Sequence, residues 1–134
     1  MAKPVALKLQ RDIDALLASR KPLAIAGKRS KVISAFYCLR PLNGSPEPLL
    51  FLIHAVKRGI PHSPDRNKQK RRLRQAIRQL GIYDVVLQQL TDSSQQALVM
   101  LRTANAPSAA SSWETILEDM EVIGKRLQEA SAHA

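Results

Sequence analysis

Between Lys57 and Arg78 the chain places nine Lys and Arg side chains against one acid, Asp65. No fold can bury such a run, because each unpaired charge would lose its hydration. The same stretch is also amphipathic. At about 100° per residue from Arg66, Leu73, Ala76, Ile77 and Leu80 share one stripe. Lys70, Arg74, Asn67, Arg78 and Arg71 fall on the adjacent flank, and Lys68 and Arg72 point further round. A helix that is apolar along one side and cationic along the next lies on the surface, with its apolar side on a core. Ser63-Pro64-Asp65 supplies a start: a capping hydroxyl, a proline suited to the first turn and an acid at the positive end of the dipole. Gly81 supplies a stop.

The rest of the chain does not share this charge. Residues 1–56 carry +6, residues 79–103 carry −1 and residues 104–134 carry −3, which with +8 for residues 57–78 make the total of +10. An ordinary solvated helix face mixes both signs. This one does not, so it predicts an anionic partner, with the C-terminal third turned away from it. The length of 134 residues fits one domain, and a hydrophobic fraction of 45% is enough for a core. No apolar run approaches the roughly 18 residues of a membrane span, and the N-terminus lacks the pattern of a signal peptide. The single cysteine, Cys38, excludes an intrachain disulfide and a multi-thiolate zinc site. Together these features predict a soluble, cytoplasmic protein.

Residues 6–18 read as a short helix on Leu9, Ile13, Leu16 and Leu17. Leu23 to Ala26 reads as a short strand or part of the connection. Residues 30–40 and 49–56 read as strands, joined through the proline-rich turn Pro41–Pro48 as an antiparallel hairpin. After the basic helix, residues 82–90 predict another short helix and Ala97 to Arg102 a strand. Residues 103–112 predict a flexible loop. A capping box at Ser111–Glu114 opens a last helix on Trp113, Ile116, Leu117, Met120, Val122, Ile123 and Leu127. The tail 130–134 is expected to be disordered. The order α-β-β-α-(α)-β-α predicts an α+β fold, a two-layer α-β sandwich with a mostly antiparallel sheet.

The sequence offers little to an enzyme of its own. Cys38 lies in an apolar strand, where a free thiol is most often an inert core group. His54, His62 and His133 are scattered, and no paired-ligand cluster or phosphate-cradling glycine loop occurs. A DNA-binding regulator would display fewer cations on its recognition helix and would precede it with a helix, whereas here a strand precedes it. A ribosomal-type or other structured-RNA-binding protein suits the fold equally well.

One motif separates these readings. Arg66-Asn67-Lys68-Gln69-Lys70-Arg71-Arg72-Leu73-Arg74 resembles the Arg-Asn-x-x-Lys-Arg-x-x-Arg pattern of the bacterial ribonuclease P protein component. Upstream, Val56-Lys57-Arg58 is similar to that family's strand end, with Arg58 in its lysine position. The downstream strand and amphipathic helix agree in order over most of the chain. The chain differs in having Ser63-Pro64 for the family's usual Ala-Val. It has Ile13, Leu16 and Leu17 where the family has Phe in its first helix, and a longer segment at 82–96. The resemblance implies a ribosomal protein S5 domain 2-like fold. It also implies the non-catalytic protein subunit of a ribonucleoprotein endonuclease, a hydrolase of tRNA processing. The partners would be ribonuclease P RNA and precursor tRNA, the protein being monomeric without RNA, with Mg²⁺ bound mainly by the RNA. The implied RNA contacts are Arg58, Arg66, Asn67, Lys68, Lys70, Arg71, Arg74 and Arg78. A groove between the sheet and the first helix, at Phe36, Tyr37, Ile13 and Leu17, would hold the 5′ leader. Phe36 and Tyr37 alternate along one strand, so one is expected in the groove and the other in the core.

Overall fold

A computed structural model describes residues 4–22, 33–43, 47–103 and 112–132. The elements in chain order are β1 (Val5–Ala6), α1 (Gln10–Ser19), β2 (Lys21–Pro22), β3 (Ile33–Pro41), β4 (Leu49–Ala55), α2 (Ser63–Gln79), α3 (Ile82–Asp92), β5 (Gln95–Thr103) and α4 (Trp113–Ala132). The fold is α+β: a five-stranded sheet with α2, α3 and α4 layered on one face, and α1 on part of the other.

The strand order is β1-β4-β5-β3-β2. The expected hairpin of residues 30–40 with 49–56 does not form. β5 lies between its two strands, antiparallel to β3 (Ile33 opposite Thr103) and parallel to β4 (Leu49 opposite Ala97). The reason is burial. Ala97 to Leu101 is apolar at every position, and all five residues are buried, which suits a strand covered on both faces and paired on both edges. β1 also joins parallel, on the outer edge of β4, so the sheet is mixed rather than mostly antiparallel.

Alternation sorts the strands into two cores. Ile33, Ala35, Leu49, Phe51, Ala97, Val99 and Leu101 meet Leu73, Ala76 and Ile77 of α2, Tyr83, Val86 and Leu90 of α3, and Ile116, Met120, Ile123 and Leu127 of α4. The ring of Tyr83 meets Phe51 edge-on, with centroids 6.0 Å apart. Its hydroxyl donates to the Met120 carbonyl at 2.9 Å, and burial pushes its ionisation well above the ordinary range of a phenol. Gly124 is where α4 closes on α3: a Cβ there would lie 2.5 Å from Ile82 Cγ2. On the opposite face a smaller core joins Leu7 and Leu16 to Leu98 and Met100, with Ile13, Phe36, Cys38, Leu50 and Leu52 packed around it. An ion pair of 2.7 Å from Arg40 to Asp12 ties α1 to the end of β3.

Several helix ends differ from expectation. α1 starts at Gln10, because residues 5–6 are drawn into the sheet. The cap of α2 is His62, with no side-chain hydrogen bond, so Ser63 is the first helical residue and not the cap. Gly81 adopts an ordinary right-handed conformation and begins α3 rather than ending α2 in a left-handed turn. At α4, Ser112 receives the Thr115 N–H at 3.3 Å. Ser111 of the expected capping box, the strand at Leu23 to Ala26, the tip of the 41–48 turn and most of the 103–112 loop lie outside the described residues. Residues 130–132, expected in a disordered tail, complete α4; Ser131 is buried and donates to the Leu127 carbonyl at 2.8 Å.

Candidate nucleic-acid interface

The interface is built on α2. Leu73, Ala76 and Ile77 are buried as the periodicity requires. Gln69 lies on the same stripe and is buried with them, a position that a purely apolar reading passes over. Its Oε1 accepts from Arg72 Nη1 at 2.8 Å, which satisfies the buried amide and fixes the guanidinium beside it. Burial lowers the Arg72 pKa from its ordinary value.

On the outer flank Asn67, Lys68, Arg71, Arg74 and Arg78 are exposed, and Lys70 is half-buried. The buried stripe beneath holds this ladder on a rigid backbone. Arg66 differs from the others. Its Nη1 donates to the carbonyls of Ile60 and Pro61, both at 2.9 Å, and so ties the turn before α2 to the helix. Part of its fork is therefore occupied by the protein itself. Arg58, with Lys57, is exposed in the turn that follows β4.

One residue of the ladder, Arg74, reaches the β1 edge of the sheet. Arg74 lines a small cleft together with Pro4 to Leu7 and Phe51 to Ile53. Around the same edge lies the larger groove of the described structure, about 640 Å³, between β1, the start of α1 and the ends of β3 and β4. Val5, Ala6 and Leu7 border both spaces, so one thin wall separates the ladder from the groove. Lys8, Arg11 and Arg40 bring positive charge to the groove, and Leu50 and Leu9 bring apolar surface. A polar chain crosses its floor. Arg40 donates to Asp12 Oδ1 and Gln96 Oε1, both at 2.7 Å, and Gln96 donates to the Glu47 carbonyl at 2.8 Å.

The residues expected in a leader groove separate. Tyr37 faces the main core with the helices and is not a groove residue, because alternation sends it to the opposite face from Phe36. Phe36 is half-buried on the α1 side, with the Arg20 guanidinium 4.9 Å from its ring centroid, a cation–π arrangement. Ile13 packs into the smaller core, and Leu17 is 45% exposed on α1. None of the four lines the 640 Å³ groove, whose walls are Lys8, Arg11, Arg40 and the β1 strand. Sequence reasoning missed these residues because β1 is only two residues long. It also missed a polar row across the uncovered part of the same face. Ser34, Arg102 and His54 stand in register on three neighbouring strands, and all are exposed.

Among the described residues no three His, Cys, Asp or Glu side chains gather into a metal-holding group, and no helix is long and apolar enough to cross a membrane. No family model, curated protein or solved structure matches the chain.

Proposed function

We propose that the chain is the protein subunit of ribonuclease P, acting in the cytoplasm as a monomer that binds the catalytic RNA and the 5′ leader of precursor tRNA. The observation that carries the reading is the α2 ladder. Asn67, Arg71 and Arg74 stand exposed with Lys70 half-buried on one flank of a helix whose other side is locked in the core. These residues, with Arg66, spell the Arg-Asn-x-x-Lys-Arg-x-x-Arg motif.

The ladder rises about 1.5 Å per residue and presents forks that match phosphate oxygens, so it can follow a folded RNA backbone without reading bases. The groove across the β1 wall then has a role. It offers cations and apolar surface together, the pairing that a single strand needs for its phosphates and bases. Phe36, with Arg20 above it, and the Ser34–Arg102–His54 row extend that surface along the same face. In this reading the RNA carries out the phosphodiester hydrolysis, and Mg²⁺ held mainly by the RNA supplies Lewis-acid chemistry. The protein's cations offset repulsion between two polyanions and hold the leader, work that free Mg²⁺ must otherwise do.

The test is reconstitution of precursor-tRNA cleavage with a ribonuclease P RNA at low Mg²⁺. Added protein should restore cleavage, more for a long leader than for a minimal one. Equal enhancement of both would remove the groove from the account. Cleavage by RNA-free protein would overturn the reading.

A further inference from the structure

The ladder occupies one flank of α2, and the other flank has its own construction. Lys68, Arg71, Arg72 and Gln75 line a shallow, open surface cleft of about 340 Å³ that is bordered by Trp113 at the start of α4. Three of its five lining residues are cations and none is an acid. Trp113 is half-buried, packed against the main core while also lining the cleft. Arg72 is oriented by its bond to the buried Gln69, so one wall is fixed from inside the protein. The cleft also sits at the N-terminal end of a 20-residue helix, where the backbone dipole adds positive potential, partly offset by the exposed Glu114 of the same turn.

We propose that this cleft holds one unpaired nucleotide of the bound RNA, its base stacked on the Trp113 indole and its phosphate between Lys68 and Arg71. The proposal rests on the RNA-binding reading above and adds a second contact on the far side of the helix. Arg71 belongs to both surfaces, being exposed at the shoulder between the ladder and the cleft. An RNA strand leaving the ladder reaches Trp113 by crossing that residue. The indole supplies what the ladder lacks, a flat apolar face for a base, and stacking of this kind tolerates any base. Gln75, exposed on the cleft wall, offers a donor and an acceptor to a base edge.

Trp113 is the single tryptophan of the chain, so intrinsic emission reports this position alone. The experiment titrates the full chain with a short adenine-rich single-stranded RNA, reading binding by anisotropy of a labelled RNA and stacking by tryptophan quenching. The parallel arm uses an abasic ribose-phosphate strand of equal length. The proposal expects both strands to bind and only the base-bearing one to quench. Binding of the base-bearing strand without quenching, or equal quenching by both, overturns the cleft proposal while leaving the RNA-binding reading in place. Failure of both strands to bind overturns both. In the variant series, Trp113→Phe should keep the affinity of the base-bearing strand, and Trp113→Leu, which keeps apolar volume without a stacking face, should lose about tenfold. Equal affinities of the two variants contradict the proposal. If Trp113→Leu fails to fold, the quenching measurement on the unaltered chain decides alone.

Discussion

α2 and α4 are the two longest helices of the described structure, and they pack side by side on the same face of one sheet. Their buried sides are alike: Leu73, Ala76 and Ile77 on one, Ile116, Met120, Ile123 and Leu127 on the other. Their outer sides are opposites. α4 carries mixed charge that pairs along its own length, Lys125 with Glu121 and Arg126 with Glu129, each at 3.3 Å. α2 carries seven cations between Arg66 and Arg78, with Asp65 as the lone acid of the helix. Packing therefore accounts for where both helices sit and for none of the difference between them. A row of cations of one sign weakens a helix through like-charge repulsion at i,i+4, so helix stability does not explain the α2 surface, and the proposed RNA binding would.

The comparison can be broken first at the shared core, where the largest effect lies. Leu73 is 1% exposed, and Leu73→Ala should cost about 2–4 kcal/mol of stability by urea denaturation. Ile116→Ala on α4 should cost a similar amount. A loss below about 1 kcal/mol at Leu73 would mean that α2 is not packed as described. The outer faces should then behave differently from each other. Arg71→Ala should weaken RNA binding and flatten its salt dependence by about one unit of log–log slope, with stability within about 0.5 kcal/mol. Lys125→Ala should leave RNA affinity unaltered and lose no more than the few tenths of a kcal/mol that an exposed i,i+4 pair contributes. RNA affinity falling equally in the two variants would erase the distinction between the helices.

The smallest effect is expected at the joint between α2 and α3. A Cβ at Gly81 meets nothing within 4 Å, and the residue has a right-handed backbone. Gly81→Ala should therefore shift stability by less than about 1 kcal/mol by the same denaturation measurement, with stabilisation the expected sign. A large loss there would restore the left-handed stop that the sequence suggested.

What was legible followed from periodicity. The stripe of α2, the long α4 and the strands Ile33–Pro41 and Leu49–Ala55 could be read because each repeats its own signal over several turns or alternations. The two-residue strands β1 and β2 are too short to carry a pattern. The pairing of β5 between β3 and β4 is a non-local choice, and the prolines of the 41–48 turn read as a local one. For the candidate site, the ladder was visible because charge and phase are both sequence properties. The groove was not, since its walls come from separate segments brought together by β1, the Asp12–Arg40 pair and the bonds of Gln96 to Arg40 and Glu47. Tyr37 and Phe36 show the limit well: alternation separates them, and only the position of α1 says which faces the groove side.

The most direct test of the central claim, that the one-sided ladder of α2 is an RNA-binding surface, is the slope of log affinity against log salt for a structured RNA. With about six phosphates neutralised, the account predicts a slope near about −5. A slope near zero would contradict it.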